Sequence, residues 1–145
     1  MIQEVIQFTN RHAILSITWI TLLLSVIILT FKNLLSKTKN ITNIQAIQLI
    51  NKSDAITIDI RPNDDFYKGH IINAINLTSL EIKKNNLKKI ENYKQKFIIV
   101  VSANGLESSK PADKLVQYGF KHVFILKEGI KGWYNENLPL ICNKK

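Results

Sequence analysis

Apolar and polar positions along the chain fall into two regimes. "AILSITWITLLLSVIILTF", Ala13 to Phe31, is nineteen residues without a charge. As a helix it would be roughly 28 Å long, close to the hydrocarbon thickness of a bilayer. It lacks the polar face of a helix packed on a soluble core. Its polar members, Ser16, Thr18, Thr21, Ser25 and Thr30, can turn their hydroxyls back onto helix carbonyls. The pattern predicts a short segment 1–12, a transmembrane helix 13–31 in the lipid bilayer, a polar tether 32–40 and a folded domain 41–145. Glu4 spoils the upstream segment as a signal-peptide start, and no small-x-small cleavage site follows Phe31. Lys32, Lys37 and Lys39 after the span outweigh Arg11 before it. The expected orientation therefore puts the N-terminus outside and the domain at the cytoplasmic face of the inner membrane.

Beyond residue 41 the pattern shortens and alternates. Thr42 is placed to cap a helix in which Ile44, Ile47 and Ile50 recur at helical spacing. "AITIDI" (Ala55 to Ile60) reads as a strand, Ala74 to Leu77 as a second short one, and Ile98 to Val101 as a buried one. A helix from Ser108 or Ser109 runs through Tyr118 and stops at Gly119, before the strand His122 to Leu126. Strands alternating with helices imply an α/β fold, a mostly parallel sheet flanked by helices. Ligand crevices in such sheets lie at the carboxyl ends of the strands, which points to the loop after Val101.

The chain carries a formal charge of +9 and a pI near 9.7. Its lysines are mostly scattered and no aromatic residues interleave with them, which argues against nucleic acid as a partner. A single cysteine, Cys142, excludes an intramolecular disulfide and a cysteine-rich metal site. No metal site or cofactor is expected.

Three stretches carry a resemblance. "DIRPNDDFYKGHIINAINL" (Asp59 to Leu77), "VVSANGLESS", and the closing "GFKHVFILKEGIKGW" with "NLPL" follow one another in the order seen in rhodanese-homology domains. The chain resembles that family over about residues 41 to 141, and one span followed by this domain resembles the membrane-anchored rhodanese-like proteins of bacteria. The resemblance implies a rhodanese-like domain. In active members the loop reads Cys-x-x-Gly-x-Arg-Ser, and the cysteine carries sulfur as a persulfide.

Here the corresponding residues are Ser102, Ala103, Asn104, Gly105, Leu106, Glu107 and Ser108. Ser102 stands at the nucleophile and Glu107 at the arginine. A thiol ionises near pH 8.5 and lower at a helix N-terminus, whereas a serine hydroxyl forms no persulfide and needs an adjacent base. Glu107 would repel an anionic donor where arginine attracts one. The expectation is a catalytically inactive module without a catalytic residue in this loop, whose partner is another membrane or membrane-associated protein. The alternative is a sulfurtransferase with a non-standard nucleophile. Asp59, Arg61, Gly69 and His70 are expected to support the loop structurally. Arg61 is expected to pair with Asp64 or Asp65, Gly69 and Gly105 to need permissive torsions, and Phe120 and Trp133 to be core.

Overall fold

The structure, a computed structural model, describes residues 13–34 and 38–142, with side chains of the first helix described over 14–28. The segment 1–12 and part of the tether, 35–37, lie outside it. Two compact units divide near residue 36.

The first unit is helix α1 (Ala13–Leu34). Its hydroxyls behave as their spacing predicts: Thr18 donates to the Ile14 carbonyl at 2.8 Å, Thr21 to Ile17, and Ser25 to Thr21 at 2.8 Å. Its apolar side chains are exposed, Ile14 to 82 % and Trp19 to 70 %. Among the described residues no helix is long and apolar enough to cross a membrane; the described side chains of α1 stop at Ile28.

The second unit runs β1 (Lys39–Ile41), α2 (Asn43–Ser53), β2 (Ile56–Asp59), α3 (Asn63–Lys68), β3 (Ile75–Asn76), α4 (Ser79–Lys83), β4 (Phe97–Val101), α5 (Ser109–Gln117), β5 (His122–Leu126) and α6 (Gly129–Asn135). The sheet order is β1-β5-β4-β2-β3, and every pairing is parallel. The tether range is corrected here, since Lys39 and Asn40 pair with Phe124 and Ile125 as part of an edge strand.

Parallel strands need cover on both faces, and two clusters supply it. Ile58, Ile98, Val100, Leu115 and Phe120 fill one face beneath α4 and α5. Ile41, Ala46, Ile99, Val101 and Trp133 fill the other beneath α2 and α6. Phe120 and Trp133 are core residues, as expected.

A local signal starts α2 where the sequence places it. The Thr42 hydroxyl accepts from Gln45 N–H while the Gln45 side chain accepts from Thr42 N–H, a reciprocal cap. Thr78 and Glu81 repeat the device at α4. Burial raises the Glu81 pKa, but hydrogen bonds from the Thr78 backbone and hydroxyl and the nearby Lys89 outweigh it, and the net shift is downward. A carboxylate with a lowered folded pKa contributes stability above its unfolded pKa and loses it as pH falls through the folded one. Thr78→Ala is therefore expected to cost about 1 kcal/mol near neutral pH. The deficit should shrink as pH falls through the carboxylate range, read by denaturant melts at several pH values.

Candidate functional site

The loop after β4 starts at the carboxyl end of a central strand, so the backbone must leave a buried sheet and enter α5 within a few residues. Gly105 makes the turn at φ 84°. A Cβ there would stand 2.0 Å from the Lys127 carbonyl oxygen, so the position is closed to any side chain by contact as well as torsion. A 3-10 turn, Leu106–Ser108, leads into α5.

Ser102 and Ser108 are buried inside this turn, while Ala103, Asn104, Leu106 and Glu107 are exposed. The Ser102 Oγ accepts from the Gly105 N–H at 2.9 Å and from the Ser108 hydroxyl at 3.0 Å. The Asn104 Oδ1 accepts from the Leu106 N–H at 3.2 Å. Two N–H groups that an anion would use are thus satisfied by the loop's own side chains. From outside, α6 holds the loop: Ile130 N–H donates to the Ser102 carbonyl and Lys131 N–H to the Ala103 carbonyl, both at 2.9 Å. Gly129, at φ 58°, permits this approach, because its Cβ would lie 2.2 Å from the Ser102 carbonyl oxygen. Sequence reading passed over Gly129, whose signal is a glycine opening a helix directly after a strand and a two-residue turn.

Asp59 and Arg61 do meet the loop's surroundings, with one correction. Arg61 pairs with Asp59, with Nη2 to Oδ2 at 2.7 Å and Nε to Oδ1 at 3.0 Å, and not with Asp64 or Asp65. Asp59 sits at the buried end of β2, where an unpaired carboxylate is costly, so the adjacent guanidinium folds back onto it. Arg61 Nη2 also donates to the Gly69 carbonyl at 2.7 Å. Asp65 pairs instead with Lys68 at 2.8 Å, which lowers the Asp65 pKa and raises that of Lys68.

Gly69 is a second correction. Its φ of 168° is extended backbone open to any residue, and a Cβ would make only ordinary contact with Leu140 at 3.5 Å. His70 is buried, its ring stacked on Phe66 with centroids 3.9 Å apart. Its Nδ1–H donates to the Phe66 carbonyl at 2.9 Å, so the ring serves as a structural clamp.

A cleft of about 340 Å³ opens beside the loop, lined by Arg61, Asp65, Lys68, Gly69, Ala103, Ile130, Lys131, Tyr134 and Leu140. Glu107 is not among them. It borders a larger groove of about 560 Å³ between α4 and α5, with Ser79, Lys83 and Lys110. Position 107 therefore withholds a guanidinium from the cleft rather than placing a carboxylate in it, which modifies the repulsion expected from sequence. No cluster that could hold a metal ion exists among the described residues.

Cys142 is less detached than its place in the sequence suggests. Ile141 and His70 exchange backbone hydrogen bonds, His70 N–H to Ile141 O at 3.0 Å and Ile141 N–H to His70 O at 2.8 Å. The bridge lays the tail along the cleft rim, and the exposed Cys142 thiol donates to the Lys68 carbonyl at 3.0 Å.

A parallel sheet with this loop and this Asp-x-Arg strand end is matched by one family model, the Rhodanese-like domain, over residues 42–136. The chain belongs to the rhodanese-like domain family. It is 52% identical over 142 residues to "Uncharacterized protein YibN" of Escherichia coli (strain K12), an alignment covering 98% of this chain and 99% of that one. It is 32% identical over 106 residues to the thiosulfate sulfurtransferase GlpE of Coxiella burnetii (strain RSA 331 / Henzerling II), covering 73% of this chain and 96% of that one. Among solved structures it is similar to a rhodanese-related protein from Thermoplasma volcanium. The TM-score is 0.63 at 25% identity, covering 72% of this chain and 99% of that chain. The rhodanese-like domain is thus shared with sulfurtransferases, and position 102 is where this chain carries oxygen.

Proposed function

We propose that this rhodanese-like protein is anchored by α1 in the cytoplasmic membrane and does not transfer sulfur through its loop. It serves there as an interaction module for another membrane protein. The observation that carries the reading is the Ser102 Oγ, buried, accepting two hydrogen bonds and holding the turn closed. An atom in that role is a structural acceptor. It has no base beside it, since His70 is committed to Phe66 and no imidazole reaches the loop among the described residues.

The anchor rests on the uncharged run 13–31 and the exposed apolar side chains of α1. Tethering confines the domain's search to the membrane surface and raises its effective concentration for partners there. Crosslinking in native membranes is expected to recover a specific membrane-protein neighbour.

A second reading is favoured by the placement of Cys142, whose thiol lies against Lys68 at the rim of the loop's cleft. Its thiolate would attack the outer sulfur of thiosulfate, sulfite would leave with the bonding pair, and cyanide would remove the bound sulfur as thiocyanate. The two readings part in one assay, thiosulfate-to-cyanide transfer by the full chain beside Cys142→Ser. The expected result is no turnover above buffer for either protein. Activity in the wild type that vanishes in Cys142→Ser would establish the second reading.

A further inference from the structure

The strands run parallel, and β2, β4 and β5 begin at one level of the sheet, opposite the loop, with Ile56 beside Ile98 and Ile98 beside Val123. Lysines collect there although they are far apart in sequence. Lys52 lies in the last turn of α2 before β2, Lys94 and Lys96 precede β4, and Lys121 precedes β5. Lys121 N–H donates to the Lys94 carbonyl at 3.1 Å, which ties two of these segments together. Lys52, Lys96 and Lys121 are exposed and Lys94 is half-buried. Their acidic neighbours in the same connections are Asp54 and Glu91 alone. At the loop end the signs nearly balance: Lys68, Lys83, Lys110, Lys127 and Lys131 are set against Asp64, Asp65, Glu107 and Glu128, and Arg61 is neutralised by Asp59.

The charge excess is therefore gathered at the end of the sheet away from the loop. Thr38 is fixed to this unit by its hydroxyl, which donates to Asp113 Oδ1 at 3.1 Å. The aromatic rings nearby do not form a stacking platform: Phe97 lies against His122 and Phe124, and Tyr93 packs on the core. That disfavours nucleic acid, which a basic surface alone would otherwise attract.

We propose that this end of the sheet docks on anionic phospholipid headgroups, leaving the loop and its cleft turned away from the lipid and open to a partner. Lysines near an anionic surface act roughly additively, each strengthening binding about fivefold at physiological salt. The inference stands apart from the anchor reading, because the domain's own surface would carry it.

Residues 38–145 can be tested without α1, since residues 38–142 hold both cores and the Thermoplasma volcanium protein is a whole chain of this domain. The segment is sedimented with phosphatidylcholine vesicles with and without phosphatidylglycerol, beside K52Q/K94Q/K96Q/K121Q. Matching circular dichroism of the two proteins establishes that both are folded. Binding is expected only with phosphatidylglycerol, to fall as salt rises, and to weaken by a factor of roughly several hundred in the quadruple variant. Equal binding to neutral vesicles, unchanged binding by the variant, or displacement by duplex DNA at equal charge would overturn it. Carbonate extraction of the full chain reads the anchor separately, so either idea can fail alone.

Discussion

Ser102→Cys combined with Glu107→Arg is expected to form a persulfide where the wild-type chain is expected to take up no sulfur. The site already offers what a thiolate needs. The Gly105 N–H and the Ser108 hydroxyl converge on the γ-atom of residue 102 at 2.9 and 3.0 Å. Donors aimed at an anion favour the ionised form, so a cysteine there should ionise below the ordinary value of about 8.5. The chemistry balances without a further reagent. The thiolate attacks the outer sulfur of thiosulfate, sulfite departs with the electron pair, and cyanide later releases thiocyanate and regenerates the thiolate. The guanidinium introduced by Glu107→Arg would supply the missing cation near an anionic donor. Turnover should rise from undetectable to measurable in the double variant, less in Ser102→Cys alone, and not at all in Glu107→Arg alone. A folded double variant that takes up no sulfur would mean that the burial of position 102 closes it to the donor.

The second large effect is on stability. Gly129→Ala is expected to cost on the order of 4 kcal/mol and to lower the melting temperature by roughly 15 °C or more. The new methyl group would stand 2.2 Å from the Ser102 carbonyl oxygen and 2.8 Å from the Gly105 nitrogen. Both are backbone atoms and cannot rotate away. Relief requires α6 to withdraw, which breaks the hydrogen bonds from Ile130 and Lys131 that hold Ser102 and Ala103. Gly119→Ala is the control. Gly119 also has a positive φ, 94°, but no atom within 4 Å of an added Cβ, so only torsional strain of about 1 kcal/mol applies. If the two variants melt together, α6 does not clamp the loop.

Much of the domain was legible because its signals are local. The cap at Thr42 sits directly before its helix, the β-branched-rich runs at 56–59 and 97–101 form the central strands, and Gly119 ends its helix. β1 was not legible. It has three residues, of which only Ile41 is buried, so no periodicity exists to detect, and its register comes entirely from pairing with β5. The partner of Arg61 was missed for a related reason. Sequence spacing ranks Asp64 and Asp65 with Asp59, and only the burial of the strand end selects Asp59.

In the loop, Ser102 and Glu107 were readable as substitutions against a motif, but their consequences needed geometry. The serine proves to be a hydrogen-bond acceptor inside a closed turn, and the glutamate borders a neighbouring groove rather than the cleft. The close approach of Gly129 and the return of the tail onto His70 are long-range contacts that leave no local trace.

Whether oxygen at position 102 ends sulfur transfer is read most directly from the intact mass of the full wild-type chain after incubation with thiosulfate, before and after cyanide. An unchanged mass throughout is the expected result. A gain of one sulfur that cyanide then removes as thiocyanate would contradict it, and fragmentation would show which residue had carried the sulfur.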